Sequence, residues 1–121
     1  MKLVTNNPKF RDAKFRNIEI EFLDNSYLEI LIKVRDYIYE GWELMTHPLY
    51  GSVKPNETIY RSIVIRESRS LNIFSTNLIS EAIETYRKFK KNKLIPNWSN
   101  SVKDDFSVID FDLIKNAITR M

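Results

Sequence analysis

Residues 46–58, THPLYGSVKPNET, gather the side chains best suited to polar chemistry, including His47, the only histidine in the chain. A glycine lets backbone amides approach an anion, a serine adds a hydroxyl donor and a lysine adds charge. Gly51, Ser52 and Lys54 therefore predict a cradle for a phosphate or carboxylate, with Thr46, Asn56, Glu57 and Thr58 as further polar contacts. His47 is the candidate acid/base, because imidazole titrates near neutrality. No Gly-Lys-Ser run opens a helix here, so this is not a Walker-type phosphate loop. The competing reading is a long turn punctuated by Pro48, Gly51 and Pro55, with His47 fixed by a backbone bond. Connections of this length in small domains are often functional, which keeps the site reading in play.

A second polar group is Thr5-Asn6-Asn7-Pro8. Its amide side chains could orient a substrate, or an Asx-turn could simply close the preceding strand. Asp104, Asp105, Asp110 and Asp112 offer carboxylates, but their spacing reads first as helix capping and compensation of the helix dipole. With one histidine and no cysteine, no metal site is expected and no cofactor can be named.

These groups need elements to hold them. Lys2–Thr5 reads as a short buried strand stopped by Asn6-Asn7-Pro8, and Phe10–Arg16 as a helical turn. Asn17–Leu23 alternates apolar Ile18, Ile20 and Phe22 with Glu19 and Glu21, a strand with one wet face. Ser26 and Glu29 form a capping box before a helix over Tyr27–Glu40, with Gly41 as its left-handed stop. Trp42–Met45 is a candidate strand, and Ile59–Arg66 a central one covered on both faces. A long helix over Leu71–Lys91 shows Leu71, Phe74, Leu78, Ala82, Tyr86 and Phe89 along one stripe, capped by Ser70. After a connection at Asn92–Ser101, Phe106–Ile109 reads as a short strand. A last helix from Phe111 then follows, with Asp110 as its N-cap.

Strands interleaved with helices predict a small single-domain α/β fold over residues 1–121, with a mostly parallel sheet in Rossmann-like layers. Ligands of such sheets bind beyond the carboxyl ends of the strands, where both polar groups would lie. The composition, 43% hydrophobic and 29% charged, suits an ordinary core. No apolar run suggests a signal peptide or a membrane span, so a cytoplasmic location away from membranes is expected. The net charge of +3 is mild. The basic run Arg87, Lys88, Lys90, Lys91 and Lys93 reads as a solvated helix end, not a nucleic-acid surface. The aromatic content supports a homodimer contact without fixing one.

VTNNP at Val4–Pro8, VRDYIYEGWELMTHPLYGSVKPNET at Val34–Thr58 and ETYRKF at Glu84–Phe89 together resemble the GrdX family. These are small proteins encoded beside glycine, sarcosine and betaine reductase systems of amino-acid-fermenting bacteria. Ile59 stands where the family pattern has proline, and Trp42 where a histidine is common. The resemblance implies an accessory or regulatory role in that metabolism, with a small anionic metabolite or a reductase subunit as partner. It also raises segments 5–8 and 46–58 as the shared site. The alternative is a small enzyme acting on a phosphorylated or carboxylated substrate, with His47 as its acid/base.

Overall fold

Leu3-Val4 and Ile63-Val64-Ile65 are fully buried, and only a sheet covered on both faces hides consecutive strand residues in this way. The computed structural model describes residues 1–49, 58–92 and 98–121. Its strands are β1 (Lys2–Thr5), β2 (Glu19–Phe22), β3 (Trp42–Leu44) and β4 (Ser62–Glu67). Its helices are α1 (Tyr27–Tyr39), α2 (Ile73–Asn92) and α3 (Asn100–Thr119).

Among the described residues one sheet forms, in the order β2-β1-β4-β3. Val4, Ile63 and Ile65 face one core with α1 and α2. Leu3 and Val64 face the other, against Phe10, Ile18 and Ile114 of α3. The fold is therefore mixed α/β, with helices on both faces.

The predicted parallel sheet is corrected. Only β1 and β2 pair in parallel; β4 runs antiparallel to both β1 and β3. A strand hidden on both faces reads alike in either direction, so the residue pattern of β4 does not encode its antiparallel run beside β1 and β3. One consequence of the original expectation survives. Because β1, β2 and β3 all oppose β4 in direction, their carboxyl ends share an edge with the amino end of β4.

Local signals place α1 well. Ser26 Oγ accepts the Glu29 amide at 3.2 Å while Glu29 Oε1 accepts from the Ser26 amide at 3.4 Å, and Gly41 takes φ +105° after the last turn. The other two helices depart from expectation. Asn72, not Ser70, caps α2, its Oδ1 accepting the Ser75 amide at 2.8 Å. The buried stripe is Ser75, Ile79, Ala82, Ile83 and Tyr86, while Phe74 stays 72% exposed and Leu71 is exposed too. Phe106–Ile109 is helical rather than a strand, and Ser99, not Asp110, caps α3. Among the described residues no helix is long and apolar enough to cross a membrane.

Candidate functional site

The shared strand edge holds a buried polar network whose proton directions can be counted. The Asn7 amide donates to Thr5 Oγ1 at 2.9 Å. Thr5 and Ser62 hydroxyls lie 2.6 Å apart, and Ser62 Oγ lies 2.6 Å from Asp110 Oδ2. Each hydroxyl has one proton, and an ionised carboxylate only accepts, so Ser62 donates to Asp110 and Thr5 donates to Ser62. Asn7 Nδ2 also donates to Asp110 Oδ2 at 2.9 Å and to the Ser107 carbonyl at 2.8 Å. Arg61 Nη2 meets Asp110 Oδ1 at 3.4 Å.

Arg61 and Asp110 are 5% and 6% exposed. Charges so buried persist only when paired and hydrogen-bonded, and this pair has both kinds of support. Asp110 is thus mid-helix and inward-facing, which overturns its reading as a cap. A carboxylate in isolation fits either role; the cation that decides it lies elsewhere in the chain.

Asn6 ties the edge together from the other side. Its Nδ2 donates to the carbonyls of Asn25 at 2.9 Å and Ile59 at 2.7 Å, and its Oδ1 accepts the Arg61 amide at 2.8 Å. Arg61 Nη1 in turn reaches the Pro48 carbonyl at 3.4 Å and the Tyr27 hydroxyl at 3.3 Å. Residues 5–8 and the start of 46–58 therefore meet through one arginine.

The flanks of the long segment are braced by threonines. Thr46 Oγ1 accepts the Val64 amide at 3.0 Å, and Thr58 Oγ1 accepts the Tyr60 amide at 3.2 Å. Gly51, Ser52, Lys54, Asn56 and Glu57 lie outside the described residues. His47 is exposed, and its Nδ1 accepts the Leu49 amide at 3.0 Å, so a neutral ring carries its proton on Nε2. It lines a cavity of about 300 Å³ with Met45, Thr46 and, from the end of α3 onward, Ala117, Arg120 and Met121. Asn6 lines a different cavity, of about 280 Å³, on the α1–α2 side. A third, of about 410 Å³, lies between Lys9, Tyr60 and the first turns of α3. Among the described residues no group of three or more His, Asp or Glu side chains is placed to hold a metal ion.

Arg61, Ser62 and Asp110 were not singled out together from the sequence, yet one signal was there. An arginine inside a strand expected to be buried on both faces needs a carboxylate partner. Ser107, Asp110 and Ile114 recur at helical spacing and share the buried face of α3.

The family model described as GrdX-like protein matches residues 2–119. No curated protein and no solved structure matches the chain.

Proposed function

Since the chain belongs to the GrdX-like protein family, we propose that it is an accessory or regulatory protein of glycine, sarcosine and betaine reductase metabolism. It binds a small anionic metabolite or a reductase subunit at the edge where residues 5–8 meet segment 46–58. The observation that carries this reading is the double grip on Arg61. Asn6 holds its amide at 2.8 Å, and its guanidinium reaches the Pro48 carbonyl at 3.4 Å. Such a brace gives a long segment a fixed base from which to present polar side chains.

In this reading Thr5, Asn6 and Asn7 position the edge, since Asn6 and Asn7 spend both amide hydrogens on protein carbonyl or carboxylate oxygens. Thr46 and Thr58 brace the ends of the segment, and Gly51, Ser52, Lys54, Asn56 and Glu57 make the contacts. The enzymatic alternative needs His47 and Asn6 around one substrate, and they line separate cavities, which favours binding.

The test is capture of reductase subunits by the immobilised chain, with parallel titration by glycine, acetyl phosphate and nucleotides. Lys54→Gln should weaken capture or binding about tenfold without altering the circular dichroism spectrum. A wild-type chain that captures no subunit and is stabilised by none of these ligands would overturn the reading.

A further inference from the structure

Asp24, in the turn before α1, and Lys90, in the last turn of α2, line the same cavity of about 280 Å³. Both are exposed, and neither takes part in an ion pair among the described residues, with the other or with any third group. Two opposite charges therefore border one space without touching. The Lys90 ammonium lies instead 5.8 Å from the centroid of the Tyr86 ring. Tyr86 stacks on Tyr27 with centroids at 4.9 Å and planes 10° apart, and the two side chains are 1% and 2% exposed. With Ile59 they give the cavity a fixed apolar wall.

We propose that this cavity binds a small zwitterion of the α-amino acid class, its ammonium on Asp24 and its carboxylate on Lys90. The site goes beyond the anion reading above, because its charged contacts lie outside segments 5–8 and 46–58. Asn6 connects the two: it lines the cavity and also holds the Arg61 amide at 2.8 Å.

The charges decide the class. Among the described residues the lining carries one negative and one positive group, which sum to zero. A ligand with a single charge gains at one group and is repelled by the other, with no net advantage at similar distances. A molecule carrying both signs gains at each group and bridges a gap that the side chains leave open. The volume, at the small end of ligand pockets, suits an amino acid better than a peptide or a nucleotide. Its side chain would rest on the tyrosine and isoleucine wall.

The test is NMR titration of the full chain, following the amides of residues 24–26 and 90. The probes are alanine, propionate and ethylamine, which carry both charges, the negative one alone and the positive one alone. Alanine should bind about fivefold more tightly than either singly charged probe, the upper reach of one exposed ion pair. Asp24→Asn and Lys90→Gln, both on exposed side chains, should each weaken alanine about fivefold without altering the circular dichroism spectrum. Asp24→Asn should also erase the preference for alanine over propionate, which a loss of packing alone would not do.

Equal binding of alanine and propionate by the wild type, no response to alanine at these amides, or wild-type affinity in both variants would each overturn the proposal. Lys54→Gln should leave alanine binding unchanged, which separates this site from the anion reading. Capture of a reductase subunit by a chain that binds no alanine would overturn this site and leave the accessory role standing.

Discussion

Arg61 on the approach to β4 and Asp110 in the middle of α3 meet at 3.4 Å, each almost wholly withdrawn from water. The pair joins the sheet edge to the helix behind it. Asp110 also accepts from Ser62 and Asn7, so removing its cation leaves a buried carboxylate with neutral donors only.

Arg61→Met should therefore destabilise the fold by about 3–5 kcal/mol, the range for breaking a buried pair from one side. Adding Asp110→Asn removes the stranded charge and keeps an oxygen for Ser62 and Asn7. Urea denaturation of the two single variants and the double should show a coupling above about 1 kcal/mol. Strictly additive losses would mean the charges do not sense one another.

Asn6→Asp preserves shape and reverses chemistry. The new oxygen would face the carbonyls of Asn25 and Ile59, which the amide now approaches at 2.9 and 2.7 Å. A loss of about 3 kcal/mol is expected, because donors become repelling acceptors in a partly buried site. Thermal melting reads this directly, and an unchanged Tm would remove Asn6 from the brace.

Alkaline pH should weaken the fold from about pH 10 upward. Burial raises the Tyr27 and Tyr86 hydroxyls above the ordinary 10.0, so the folded chain holds these protons after the unfolded chain has released them. Lys2 works in the same direction. Burial opposes its charge, but the hydrogen bond to Tyr37 and the fields of Tyr37, Glu21 and Glu19 outweigh that and raise it above 10.5. Its contribution is fully present below its unfolded value and is lost as pH rises through the folded one. Urea midpoints between about pH 8 and about pH 11, followed with tyrosinate absorbance, should fall together. Tyrosines that all ionise before the midpoint moves would contradict this.

His47→Ala should leave stability within about 0.5 kcal/mol of the wild type, as expected for an exposed side chain with one local bond. A loss of about 2 kcal/mol in denaturant titration would show that the Nδ1 bond to Leu49 fixes the start of the long segment.

What could be read from the sequence divides along the range of the forces involved. The cap at Ser26 and Glu29 and the stop at Gly41 depend on neighbours a few residues away, and both are as expected. The direction of β4 depends on how the chain returns from β3, which residue patterns do not encode. On α2 the expected stripe ran through Leu71 and Phe74, yet Ser75 turns inward because its Oγ accepts the Leu44 amide at 2.9 Å. The Tyr27–Tyr86 stack fixes the same rotation further along. Asp110 escaped for a related reason, since its role is set by a cation on another element. At the candidate site, the polar groups at 5–8 and 46–49 were visible as polar, but Arg61, which joins them, was visible only as part of a strand.

The bonds from Asn7 to Ser107 and Asp110 close a loop over almost the full length of the chain. A ribosome makes residue 7 long before residue 110. Until α3 emerges, Asn7, Arg61 and Ser62 lack the Asp110 carboxylate that accepts from them, and the sheet face holding Leu3 and Val64 has Phe10 and Ile18 against it but not Ile114. The nascent sheet edge is thus committed to wait, and its completion is a late event in synthesis, set by translation rather than by local helix or strand formation.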